Sequence, residues 1–252
     1  MKGCAALSIL GACSGALVGC GGPSDTRLHD GGAAGLEIVD PGSGPVDCSV
    51  TADLTLEPIG TFDLGSDGWY SYNDHTPGSF QEPPDTIYPV PVAELKPQER
   101  CGSLYAVHLR AAHLADWGGG LGTQFPGRPV DATRFDGIAF WARKAPTSFS
   151  ALRLGVGDVH TSPEGGFCDP NAVNPDPSRC DDTFGSFVNL SQSWQFFRID
   201  FAEMRQGGWG KHAPDFDLAR LYSLGLAYQA GNWDIWIDDV FFFKRGRATN
   251  DP

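Results

Sequence analysis

Residues 232–244, NWDIWIDDVFFFK, place two carboxylates, Asp238 and Asp239, side by side in the most hydrophobic stretch that follows the N-terminal leader. Such a run reads as a β-strand, in which successive side chains point to opposite faces. One aspartate must therefore face inward unless the strand bulges. A buried carboxylate without a partner is costly or takes up a proton. The pair thus demands a turn, a bulge, a metal site or an ion-pair site, and the rest of the chain has to decide.

The other segments share this strand character. In 103–111, SLYAVHLRA, Tyr105, Val107 and Leu109 alternate with His108 and Arg110. In 135–143, Ile138 and Phe140 oppose Trp141 and Arg143, and in 151–158, Leu152, Leu154 and Val156 oppose Arg153. Further strands are expected at 184–190 and 194–201, separated by the Ser191–Gln192–Ser193 turn, and at 222–229 after a short helical turn at 217–221. No long amphipathic helix interrupts them, and 33 Gly and 19 Pro supply turns. The pattern predicts an all-β fold, a two-sheet antiparallel β-sandwich.

The chain opens MKGCAALSILGACSGALVGCGG. A positive residue, a short apolar run and Leu17-Val18-Gly19-Cys20 resemble a bacterial lipobox, so residues 1–19 are expected to be a lipoprotein signal peptide and Cys20 the lipidated residue. No Asp follows Cys20, which points to the bacterial outer membrane or cell surface. Residues 20–46, rich in Gly and Pro, read as a flexible tether, 47–246 as the sandwich domain and 247–252 as a tail. Export leaves four cysteines, enough for two disulfides. Cys168 with Cys180 is the local bridge, which leaves Cys48 with Cys101. The net charge of −13 disfavours nucleic acid and suits neutral ligands and Ca²⁺.

Three motifs, GTFDLGSDGWYSYND (60–74), FDGIAFWAR (135–143) and WIDDVFFFK (236–244), resemble in order and spacing the galactose-binding-like jelly rolls of family 11 carbohydrate-binding modules. The resemblance implies a jelly roll whose last strand pairs near its first, and a carbohydrate partner. It also implies a structural Ca²⁺ at that edge, held by Asp239 with Glu57 and Asp63. The alternative is that Asp238 faces solvent while Asp239 accepts hydrogen bonds from a turn or an arginine. Residues 161–185, TSPEGGFCDPNAVNPDPSRCDDTFG, depart from the modules and are expected to form a rigid, disulfide-closed surface loop.

Sugar rings present apolar faces on which flat aromatic rings stack while polar groups bond the hydroxyls. Trp69, Tyr70 and Tyr72 in the first loop, and Trp117 and Trp209 in Gly-rich segments, are candidates for that role. The polar strand faces with His108, Arg110, Trp141, Arg143 and Arg153 would join them if those strands are neighbours, although the arginines can equally pair with acidic residues across a sheet. No nucleophile elbow, phosphate loop or dinucleotide fingerprint is present. The expected function is non-catalytic binding of a polysaccharide or oligosaccharide by a lipid-anchored cell-envelope protein that touches the membrane only through its anchor. A module that binds another envelope protein, and a glycan-active hydrolase, are the alternatives.

Overall fold

Alternating apolar residues build twelve strands in the computed structural model, which describes residues 46–96 and 98–246. In chain order they are β1 (Leu54–Gly60), β2 (Trp69–Asn73), β3 (Phe80–Glu82), β4 (Ala93–Glu94), β5 (Tyr105–Leu114), β6 (Gly119–Gln124), β7 (Gly137–Lys144), β8 (Ala151–Asp158), β9 (Phe184–Asn189), β10 (Gln195–Asp200), β11 (Leu221–Tyr228) and β12 (Gly231–Arg245). The expected signal peptide, the lipidated Cys20, nearly all of the tether and the tail lie outside the described residues.

The strands form two antiparallel sheets. One has the order β10-β7-β12-β5-β3, with β1 added beside β12 and β4 beside β5. The other is β2-β6-β11-β8-β9. β1 pairs with the C-terminal half of β12, from Leu54 opposite Arg245 to Gly60 opposite Val240, so the last strand does lie against the first. Segments 184–190 and 194–201 part company at the Ser191–Ser193 turn. β9 lies in the five-stranded sheet and β10 in the seven-stranded one, so this turn changes sheets and closes no hairpin.

The core fills the space between the sheets. Val107, Leu109, Ile138, Phe140, Ile235 and Ile237 from one sheet meet Leu121, Leu152, Leu154, Val156, Leu224 and Leu226 from the other. Each such apolar side chain contributes about 1.5–3 kcal/mol when fully buried. Both expected disulfides form: Cys48–Cys101 with its Cα atoms 5.5 Å apart and Cys168–Cys180 at 5.0 Å.

The paired aspartates are resolved by a bulge and an ion pair together. Against β7, Asp238 faces Trp141 and Phe241 faces Ala139, so β12 carries one extra residue there. Asp239 takes φ +47° within it. The strand thereby turns two successive carboxylates to the same side, where Arg100 binds both. Its Nε and Nη2 donate to Asp238 at 2.7 and 2.5 Å, and Nη2 also donates to Asp239. Arg100 is 3% exposed and Asp238 fully buried, so the triad is desolvated. Burial raises the Asp238 carboxyl to about 7, opposed by the Arg100 charge and reinforced by Asp239.

Candidate functional site

A ligand needs side chains that face solvent, and the register decides which of the candidate residues do. In β2 the sequence Trp-Tyr-Ser-Tyr-Asn alternates as a strand, not a loop. Trp69 and Ser71 point inward and Tyr70 and Tyr72 outward. Trp69 is 1% exposed and packs edge-on against Phe62 at 5.3 Å, so it is a core residue and cannot meet a ligand. Trp141, 3% exposed, is likewise removed: it lies in a satellite cluster with Leu95, Ala106 and Trp194 over the outer face of the seven-stranded sheet.

The polar strand residues do not form one surface. His108, Arg110 and Arg143 belong to β5 and β7 in the seven-stranded sheet, whereas Arg153 belongs to β8 in the other. On the first face the groups satisfy one another. His108 stacks on Trp236 at 3.9 Å and reaches Asp234 at 2.7 Å. Arg110 pairs with Glu82 at 3.0 Å. Arg143 pairs with Glu99 at 2.7 Å and lies 3.9 Å over the Trp236 ring.

The outer face of the five-stranded sheet is built differently. Following the register across it, Tyr70 of β2 stands opposite Gly122 of β6, Gly122 opposite Gly225 of β11, Gly225 opposite Gly155 of β8, and Gly155 opposite Gly185 of β9. A glycine inside a strand costs roughly 0.5–1 kcal/mol relative to alanine and marks a close approach. Here neighbouring side chains make that approach. A Cβ on Gly122 would lie 3.1 Å from the Tyr70 ring, one on Gly120 2.6 Å from the Tyr72 hydroxyl, and one on Gly185 2.9 Å from the Arg153 guanidinium carbon. The glycines let two phenols and a guanidinium lie flat over the sheet as a half-buried platform.

Arg153 is held there by oxygen atoms of uncharged groups. It donates to the Thr183 hydroxyl at 3.1 Å and to the carbonyls of Thr183 and Arg205 at 2.6 and 3.3 Å. Among the described residues no carboxylate makes a salt bridge to it. Phe187, opposite Arg153 on the edge strand and 55% exposed, extends the platform. Burial raises the Tyr72 phenol, so it stays protonated and can donate.

Trp117 stands at the other margin, 53% exposed, with its ring 6.0 Å from that of Tyr72. Its loop is pinned by Asp74, whose carboxylate accepts the amides of Asp116 and Gly118 on either side of it, both at 3.0 Å. Gly118 has φ +101°, and a side chain there would strike the Tyr228 carbonyl. Burial pushes the Asp74 carboxyl up, but the hydrogen bonds from Thr76, Gly118 and Asp116 prevail and hold it below the ordinary range. Trp209, 46% exposed, comes from the connection between β10 and β11 and lines a cavity with the disulfide-closed loop, away from the sheet face.

The residues expected to hold Ca²⁺ do not form one donor set. Asp239 binds Arg100, Glu57 pairs with Arg134 at 2.5 Å, and Asp63 accepts the Leu104 and Tyr105 amides at 2.8 and 3.0 Å. Among the described residues no group of three or more His, Cys, Asp or Glu converges on a metal position. The cation facing the aspartate pair is a guanidinium.

Sequence reasoning named Tyr70 among the first-loop aromatics, but missed Phe187 and the glycine row. The period-two alternation in WYSYN signals Tyr70. The glycine row becomes visible only once four strands are set in register.

No family model matches the sequence, and no curated protein does. Solved structures do. The family 11 carbohydrate-binding module of the cellulosomal cellulase Lic26A-Cel5E of Clostridium thermocellum superposes with a TM-score of 0.54 at 13% identity, over 78% of this chain and 98% of that one. A family 11 module from Clostridium thermocellum in complex with a β-1,3-1,4-mixed-linked tetrasaccharide gives 0.51 at 12% identity, over 77% and 96%. The chain has the two-sheet antiparallel β-sandwich fold of family 11 carbohydrate-binding modules.

Proposed function

We propose that the outer face of the five-stranded sheet binds a neutral polysaccharide chain without altering it. The carrying observation is the row of glycines beneath Tyr70, Tyr72 and Arg153. A flat surface of aromatic rings meets the apolar faces of sugar rings, and the guanidinium and phenols bond hydroxyls. The parts are fixed before a ligand arrives, which limits the ordering entropy of binding. An acidic protein repels uronates and sulfated chains, and a net charge of −13 therefore favours neutral glycans. A module of the same fold is seen with a β-1,3-1,4-mixed-linked tetrasaccharide, and we take neutral β-glucans of that linkage as the first ligands to try.

In the same reading, the lipobox-like Leu17–Cys20 places the protein on the bacterial outer membrane or surface through lipidated Cys20, with the sandwich held clear of the bilayer by the tether. Two disulfides fit an oxidising compartment. The test is a glycan array probed with a Cys20→Ser protein that remains soluble. Retention of neutral β-glucans, lost in Tyr72→Ala, is the expected result. An array blank for a protein with an intact thermal transition overturns the reading. Metabolic labelling with a fatty-acid analogue should mark the wild type and not Cys20→Ser.

A further inference from the structure

The 161–185 region leaves β8 and returns to β9 at the edge of the platform, and it holds a cavity of its own of about 320 Å³. Asp169, Val173, Asn174, Arg179, Asp181 and Trp209 are among its lining residues. Its Trp209 is fixed as firmly as Trp117. The buried Asp182 carboxylate accepts four successive backbone amides, from Gly207, Gly208, Trp209 and Gly210, at 2.8, 2.8, 3.1 and 3.2 Å. Arg179 lies 4.7 Å over the indole and donates from Nη2 to the Trp209 carbonyl at 2.9 Å. Its Nε is buried and has no hydrogen-bond partner in the described structure. The Cys168–Cys180 bridge closes the loop that carries Asp169, Val173, Asn174 and Arg179, whereas Trp209 comes from the connection between β10 and β11.

An exposed, immobilised indole with a guanidinium, two carboxylates and an amide around it is not needed by the core. Nor does the net acidity of the rim suit an anion. The set offers one ring for stacking, donors from Arg179 and Asn174, and acceptors from Asp169 and Asp181, which is what a neutral sugar residue uses. One stretch of chain links the cavity to the platform. Asp181 lines it, and Thr183, two residues on, accepts from Arg153.

We propose that this cavity is a second glycan subsite, in which Trp209 stacks on a sugar residue of the same neutral chain that crosses the Tyr70–Tyr72–Arg153 platform. This rests on the platform reading and adds that recognition extends with chain length. Short oligosaccharides fill the platform alone. Longer ones reach the insert and gain the contact.

The test is calorimetry of the Cys20→Ser protein with mixed-linkage β-glucan oligosaccharides from the trisaccharide to the octasaccharide. Trp209→Ala and Tyr72→Ala are measured beside it, each with a thermal melt, and Trp209→Phe serves as a conservative control. Trp209→Ala should leave the shortest bound member unchanged and weaken the longest about tenfold, the equivalent of one strong ring contact. Trp209→Phe should recover most of that loss. Tyr72→Ala should weaken every length. Equal affinities of wild type and Trp209→Ala at all lengths, with Tyr72→Ala still impaired, would overturn the subsite and spare the platform. An equal loss at all lengths would place Trp209 within the short-chain site and also overturn it. Failure of the wild type to bind any member would overturn both readings.

Discussion

The two outer faces of the sandwich draw on the same residue types and use them differently. Against the seven-stranded sheet three arginines have acids: Arg100 has Asp238 and Asp239, Arg110 has Glu82, Arg143 has Glu99. Trp236 there is stacked on His108, and Trp141 and Trp194 are buried. On the five-stranded sheet Arg153 is held by carbonyls and a hydroxyl, and phenol rings lie over glycines. An arginine neutralised by a carboxylate has spent its bidentate donors. One oriented by neutral oxygens keeps its charge for a ligand. Residue type therefore marks neither face as functional, and the partner of each charge does.

Breaking the Arg100 triad should have the largest effect. Arg100→Met leaves two carboxylates facing one another in a desolvated place, and loss of one partner of a buried ion pair destabilises by about 3–5 kcal/mol. Denaturant melts should report that loss, while the affinity of the folded fraction for glycan stays as in the wild type. A parallel loss of affinity would mean that the two faces are coupled. The same triad sets a pH dependence. With Asp238 raised from 3.8 to about 7, the folded protein keeps a proton that the unfolded chain releases. Stability should therefore fall as pH rises across that interval, and Asp238→Asn should remove this component of the slope.

Next comes the platform. Tyr72→Ala should weaken glycan binding by about 2 kcal/mol, roughly 30-fold, as for a central aromatic anchor, with little change in melting temperature. Gly155→Ala sharpens the contrast without removing any side chain. Its new methyl would sit 2.4 Å from the Thr183 hydroxyl and 2.9 Å from Arg153 Nη1. Displacing that guanidinium should reduce affinity about fivefold, near 1 kcal/mol by the same conversion. The smallest effect belongs to Arg110→Ala on the other face. Its pairing with Glu82 is half-exposed, so stability should shift by no more than about 1 kcal/mol and glycan affinity not at all.

The strands and both disulfides were legible in the sequence, because alternation and the small number of cysteines beyond the lipobox-like segment are local facts. The fate of the Asp238–Asp239 pair was legible only as a set of options. A bulge and an arginine 138 residues away from Asp238 decided it, and neither follows from spacing. The site was legible in part. Tyr72, Trp117 and Arg153 do stand together at one face. His108, Arg110 and Arg143 were grouped with them because polar strand faces look alike until the sheets are separated. Trp69 and Trp141 were taken for surface rings although each alternates with an outward neighbour or a covered face. The glycines looked like turn residues, and only lateral register shows four of them aligned.

The Cys48–Cys101 bridge has a mechanical consequence. β1 is hydrogen-bonded to β12 alone, along one edge, and would peel first if the chain ahead of it were pulled. The bridge diverts that load before β1 begins, passing it through sulfur to residue 101 and on into β5, which is flanked by β12 on one side and by β3 and β4 on the other. Tension applied to the chain ahead of Cys48 would thus be borne by the interior of the sheet, with its weakest edge left slack.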